Sequence, residues 1–166
     1  MTTIEVSRHR FAVEITATTE IAAAPERVWA VLTDTAAYPT WNPFLRRLEG
    51  SLEAGSTLTV EFRPQEDAKA RTMTPRVVDV EPGRRFGWLG RIAVPGVLDG
   101  RHTFTVEPAP GGGSRFVQHE RLSGLLVPFF RKLLTVDTPK GFAAMNDALA
   151  RITATDSADA LREGSA

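Results

Sequence analysis

Four polar residues sit where chemistry is feasible: His102, Gln118, His119 and Glu120. His102 alternates with Leu98, Phe104 and Val106, so it shares an apolar face of its strand. The run "SRFVQHERLSG" (114–124) admits two registers. With Phe116 and Leu122 inward, Gln118 and Glu120 point inward and His119 outward. A shift of one residue turns Val117 and His119 inward and frees Glu120 to pair with Arg101. The first register buries two large apolar groups instead of one and is preferred. It brings His102, Gln118 and Glu120 together from neighbouring strands. Burial raises a carboxyl pKa and a nearby imidazolium lowers it. His102 and Glu120 are then the candidate catalytic pair for general acid–base work such as enolisation or dehydration. The plainer alternative is that they are polar handles orienting a ligand. The second register sets His102 beside His119, but no third ligand accompanies them and zinc sites take three or four, so no metal is expected. His9 reads as a solvated residue ahead of the first strand.

The rest of the chemistry is excluded more sharply. There is no cysteine among the 166 residues, which removes disulfides, thiolate nucleophiles and Cys-ligated metals. Ser123 lacks a nucleophile-elbow context, and "APGGGS" is a hairpin turn because no helix follows it. Twenty basic residues balance 20 acidic ones, so no electrostatic case exists for a nucleic-acid partner. The N-terminus carries no apolar h-region and no run approaches the ~20 apolar residues of a membrane span. The expected location is the cytoplasm, without integral membrane association. No organic cofactor is expected.

These side chains need elements to hold them. "VEITATTEI" (13–21) alternates as a half-buried strand. "APERVWAVLTD" opens a helix, with Pro25 and Glu26 suited to its first turn and Val28, Val31 and Leu32 forming its apolar stripe. "YPTWNPF" (38–44) follows, three aromatics and two prolines without charge; the prolines argue against an ordinary helix or a central strand. Runs 44–50, 56–64, 71–82, 84–92, 98–108 and 114–124 then read as strands joined by turns such as "EAGS" and "EPGRR". Short connections favour antiparallel neighbours. Pro75 places one strand at an edge or a bulge, and an exposed edge is compatible with a homodimer. Finally Phe130, Leu133, Leu134, Phe142, Met145, Leu149 and Ile152 form one face of a long helix that Pro139 kinks or splits.

The expected fold is therefore α+β: a curved antiparallel seven-stranded sheet gripping a long C-terminal helix, with two short helices after the first strand. A bent sheet and a straight helix cannot touch everywhere, so an internal apolar cavity is expected between them. Residues 1–154 form one ligand-binding domain and 155–166 a flexible polar tail. Alternation directs Phe62 and Trp88 into the interior, and with Phe104, Phe130, Phe142 and Met145 they form its expected lining. Core packing alone accounts for any one of them.

The order of elements, with "IAAAPERVWAVLTDTAAYPTWNPF", "VEPGRRFGWLG", "GRHTFTVEPAPGGGSRFVQHERLSGLL" and "GFAAMNDALARI", resembles the START-like helix-grip (SRPBCC) superfamily over roughly residues 13–153. The branch it looks like is the polyketide cyclase/dehydrase and lipid-transport group. The resemblance implies a cavity rather than one catalytic constellation, since members include binders, carriers and cyclases. It also implies that the segment after the first helix closes one end of that cavity, making Trp41 and Phe44 wall or lid residues. The expected partner is a hydrophobic or aromatic small molecule, bound near Trp41, Phe44, Phe62, Trp88, His102, Phe104, Gln118, Glu120, Phe130, Phe142 and Met145.

Overall fold

The computed structural model describes residues 1–64 and 69–163, with 155–163 as backbone only. Strands β1 (Thr3–Arg8) and β2 (Ala12–Ile21) form a hairpin. Helix α1 (Pro25–Thr33) starts on Pro25, whose missing N–H costs nothing in a first turn, and buries Val28 and Leu32. Helix α2 (Tyr38–Trp41) is a single turn. Strands β3 (Leu45–Glu49), β4 (Thr59–Phe62), β5 (Arg71–Met73), β6 (Arg76–Glu81), β7 (Arg85–Ile92), β8 (Leu98–Pro108) and β9 (Ser114–Ser123) follow, and α3 (Thr138–Glu163) closes the chain. The expected tail, 155–166, overlaps the backbone of α3 as far as Glu163; residues 164–166 lie outside the described residues.

The main sheet is antiparallel in the order β1-β2-β9-β8-β7-β6, and β3-β4-β5 form a second, smaller sheet. Two differences from the seven-strand expectation have local causes. The run 71–82 divides at Thr74–Pro75, because proline cannot donate to a ladder. The Pro75 carbonyl still accepts from the Leu58 N–H at 2.9 Å, and a bridge at Thr57 and Arg76 keeps the two sheets joined at this corner. The added strand, β1, pairs along its whole length with β2 and leans Ile4 and Val6 on the core. His9 is exposed in the turn between them.

The segment 38–44 is more ordered than its prolines imply. Pro39 lies in the first turn of α2, where no helical N–H is needed. The Tyr38 hydroxyl, fully buried, donates to the Leu32 carbonyl at 2.7 Å. Asn42 is fully buried as well, and its Oδ1 accepts from the Phe44 and Leu45 N–H groups at 3.0 and 2.9 Å, turning the chain into β3. At the other end, Pro139 is accommodated by a π-helical turn, Leu133–Asp137, in which the Thr138 N–H reaches the Leu133 carbonyl. The helical backbone runs on from Arg131 through this turn into α3, so the expected kink or split at Pro139 is instead a π-helical irregularity just ahead of it.

The core is continuous from Ile15, Phe104, Val106 and Phe116 on the sheet to Phe142, Met145 and Leu149 on α3. This end of the sheet–helix interface is packed solid. Empty space lies at the other end.

Candidate functional site

The inward rows of the sheet set the site. Cross-strand pairing places Phe86, Phe104, Gln118 and Ala17 in one row, Trp88, His102, Glu120 and Ile15 in the next, and Gly90, Gly100, Leu122 and Val13 in a third. The preferred register of the sequence reading is the one adopted. His119 turns to the opposite face, where its Nδ1 meets Thr16 Oγ1 at 3.0 Å, so it never stands beside His102. Along these rows the interior changes character. The Phe104 row is solid, whereas the Gly90–Gly100 row is open.

A cavity of about 480 Å³ begins there. Its walls are the inner face of the small sheet, the ends of β7 and β8, and the segment 130–138 that leads into α3. Phe44, Phe62, Trp88, His102, Glu120 and Phe130 line it. Of the other expected contacts, Phe104, Gln118, Phe142 and Met145 lie in the solid end of the core and do not line it. Trp41 packs edge-on to Tyr38 at 5.2 Å, outside the cavity. The space is therefore bounded by the two sheets and the entrance of α3, not by the length of the long helix as expected. The cause is visible at Phe142, whose ring stacks on His102 at 4.8 Å and meets Phe44 edge-on at 5.5 Å, filling the gap beneath the helix.

Phe44 holds the wall because of a glycine. A Cβ on Gly141 of α3 would fall 2.7 Å from Phe44 Cε2 and 3.0 Å from Cγ, inside van der Waals contact. A pair of facing glycines borders the void. Gly90 and Gly100 face each other across β7 and β8; the Met73 methyl takes the place a Gly90 side chain would fill, and the space beside Gly100 stays open. A Cβ on Gly100 would stand 3.3 Å from Glu120 Oε1, so that glycine also gives the carboxylate its room. The sequence signal for this was the presence of glycines inside strands, which marks bending or close approach. What it did not disclose was that Gly90 and Gly100 are partners.

His102 stands on the boundary between void and core. It is 3% exposed, stacks on Phe104 at 4.2 Å and meets Trp88 edge-on at 5.1 Å. Its Nε2 points into the solid end, 3.2 Å from Gln118 Oε1. Burial pushes its pKa down to about 3, so the ring is neutral throughout the physiological range. Glu120, its cross-strand neighbour, is half-buried on the cavity wall and has no hydrogen-bond partner among the described residues. Burial raises its pKa to about 7. Such a carboxyl takes and gives protons near neutrality, whereas an imidazole near 3 is too weak a base to share that work equally. The arrangement supplies one proton-transfer group, one neutral ring with hydrogen-bonding capacity, and an apolar surround. Exposed Arg71 and Arg91 stand at the rim.

Sequence reasoning missed two contributors. Asn146 is fully buried and bonds Gln118; it falls on the stripe of Phe142, Met145 and Leu149 at helical spacing, so a polar residue at a core position was the available signal. Met73, whose side chain lies over Gly90, belongs to the run 71–82, for which the sequence suggests a single edge or bulged strand and which the structure divides between two sheets.

Residues 12–156 match the model of a family described as polyketide cyclase / dehydrase and lipid transport. No curated protein matches the sequence. Among solved structures, the fold is similar to the Zhui aromatase/cyclase from Streptomyces sp. R1128, with a TM-score of 0.68 and 16% identity over 86% of this chain and 93% of that one. It is similar to norcoclaurine synthase from Thalictrum flavum, with a TM-score of 0.65 and 16% identity over 93% and 99%. A third similar structure is the di-domain ARO/CYC StfQ of the steffimycin pathway, with a TM-score of 0.63 and 15% identity; this chain covers 52% of it, about half its length. Among the described residues no helix is long and apolar enough to cross a membrane.

Proposed function

This chain belongs to the polyketide cyclase / dehydrase and lipid transport family, and on that premise we propose that it binds a hydrophobic or aromatic small molecule between its two sheets. One observation carries the reading. The cavity of about 480 Å³ is walled mainly by apolar and aromatic side chains, and the two polar groups that the main sheet sends into it, His102 and Glu120, are adjacent. That size and lining are what small-molecule sites have: apolar surface for affinity and a few polar groups for orientation.

Native mass spectrometry and titration with an apolar fluorescent probe test it. The expected result is one probe per chain, with affinity reduced at least tenfold when Gly100→Leu fills the void. Failure of any apolar probe to bind the wild-type protein would sink the reading.

Glu120 favours a second reading, an enzyme of cyclase or dehydratase type without metal or organic cofactor. A carboxyl with a pKa of about 7 on the wall of an apolar cavity is suited to moving a proton to or from a polyketide-like substrate. His102 then orients the substrate. With a turned-over substrate in hand, Glu120→Gln lowers kcat by roughly 10²-fold or more if the carboxyl transfers the proton. Unchanged turnover in Glu120→Gln rules this reading out and leaves binding intact.

A further inference from the structure

The polar groups behind His102 form a chain that runs through the core to the surface. Gln118 Oε1 meets His102 Nε2, and Gln118 Nε2 donates to Asn146 Oδ1. Asn146 Nδ2 donates to Thr19 Oγ1 at 3.1 Å. Thr19 Oγ1 and Thr2 Oγ1 are 2.6 Å apart, and Thr2 Oγ1 donates to Asp147 Oδ1 at 2.6 Å. Gln118, Asn146 and Thr19 are buried.

Every proton in this chain points the same way. Asp147 accepts only, so Thr2 must donate to it; the Thr2 hydroxyl proton is then spent, so Thr19 must donate to Thr2, and Thr19 in turn accepts from Asn146. Two main-chain carbonyls enforce the same sense independently. The Ala17 carbonyl lies 3.3 Å from Asn146 Nδ2 and the Phe142 carbonyl 3.5 Å from Gln118 Nε2, and a carbonyl tolerates only the NH₂ side of an amide. Gln118 therefore turns Oε1, a pure acceptor, toward the imidazole. The hydrogen must sit on His102 Nε2. The lone pair is left on Nδ1, which has no protein partner among the described residues and is not sealed off, and the space that His102 lines is the cavity.

We propose that the Gln118–Asn146–Thr19–Thr2–Asp147 chain locks His102 as its Nε2–H form and so presents Nδ1 to the cavity as a hydrogen-bond acceptor, selecting ligands that offer a hydroxyl donor, as phenols and enols do. Gln118 and Asn146 are positioning residues: they touch no ligand and act through the ring. The selection for a donor rests on the ligand-cavity reading above; the lock itself does not.

Two measurements separate these. Two-bond ¹H–¹⁵N correlation spectra of histidine-labelled protein at pH 7 report which ring nitrogen carries hydrogen. The wild type is expected to show His102 solely as the Nε2–H form, and Asn146→Leu, which releases Gln118, is expected to show both forms. A wild-type ring protonated on Nδ1, or an unchanged spectrum in a folded Asn146→Leu, overturns the lock; the wild-type spectrum decides the tautomer without any variant. For selection, the probes are 2-naphthol and 2-methoxynaphthalene, which share a ring system and differ in the donor. Wild type is expected to prefer 2-naphthol about tenfold and His102→Phe less than threefold. Equal affinity in the wild type overturns selection. Binding of neither probe counts against the cavity reading and against selection, while the spectra still decide the lock.

Discussion

At His102 and Glu120 one cause acts on two charge types with opposite signs. Removal from water lowers the imidazole from 6.5 to about 3 and raises the carboxyl from 4.5 to about 7. The folded state thus binds fewer protons at His102 than the unfolded chain between pH 3 and 6.5, so this contribution is whole above 6.5 and lost as pH falls toward 3. It binds more protons at Glu120 between pH 4.5 and 7, so that contribution is whole below 4.5 and lost as pH rises through 7. Between about pH 4.5 and 6.5 the two slopes oppose each other, and these residues leave wild-type stability nearly flat. Each substitution unmasks the other. Glu120→Gln should gain stability as pH rises across that window, and His102→Phe should lose it, each by at most about 1.4 kcal/mol per pH unit. Urea midpoints from pH 4 to 8 measure both; parallel curves for all three proteins would remove the burial argument. Much of this pair was legible in advance. Alternation put His102 inward, and the bulk of Phe116 and Leu122 chose the register that sends Gln118 and Glu120 inward. The inequality of the two groups was not legible, because it depends on how far each is enclosed: Glu120 is half-buried on the cavity wall, whereas the His102 ring is stacked among Phe104, Trp88 and Phe142.

At the level of elements, proline and glycine positions were easy to find and hard to interpret. Pro39 and Pro43 argue against an ordinary helix or a central strand, yet Pro39 sits in the first turn of the short α2, because the restriction applies to helix interiors and not to first turns. Pro75 was read as an edge or bulge, and it divides one expected strand between two sheets. Strand β1 carries the period-two pattern of Ile4 and Val6 but was passed over as a leading segment. Gly141 is the sharpest case. In sequence it is a weak point of a helix, and its purpose appears only when Phe44 arrives from 97 positions earlier, a separation no local pattern encodes. Gly141→Ala should gain up to ~1 kcal/mol of helix propensity. The clash with the Phe44 ring should cost ~1–3 kcal/mol, leaving the variant less stable. In a Phe44→Leu background the penalty should shrink or reverse, giving a coupling energy above about 0.5 kcal/mol in a double-mutant cycle. Additive effects would show that α3 and the 38–44 segment are not joined through this contact.

Over the whole molecule, the void exists because two kinds of packing meet. Where α3 lies on the sheet, Phe142, Met145 and Leu149 fill the interface, and stability there comes from close packing. Where the chain enters α3 through the π-helical turn ahead of Pro139, the regular helical packing is interrupted, and Gly100 withholds a side chain from the facing strand. Gaps of this size cost dispersion contacts that a filled core would have. If the gap serves a ligand, filling it should stabilise the free protein and abolish the ligand's effect. Neither Gly90 nor Gly100 has a positive φ, but a Cβ on Gly90 would run into the Met73 methyl, so Gly100 is the position to fill: there an added Cβ stands 3.3 Å from Glu120 Oε1 and 3.4 Å from Leu122 Cδ2, tight contacts that Glu120 relieves by moving a few tenths of an ångström into the open cavity it lines. Gly100→Leu should therefore unfold at or above the wild-type midpoint in the absence of ligand. Saturating 2-naphthol, at about 100 times its Kd, should stabilise wild type by ~2.7 kcal/mol through linkage and the variant hardly at all. The two arms pull apart the explanations. A variant that is destabilised and still responds to ligand would mean that Gly100 serves the curvature of the sheet and that the ligand binds elsewhere, whereas loss of response at undiminished stability ties the receptacle to the space that Gly100 leaves open.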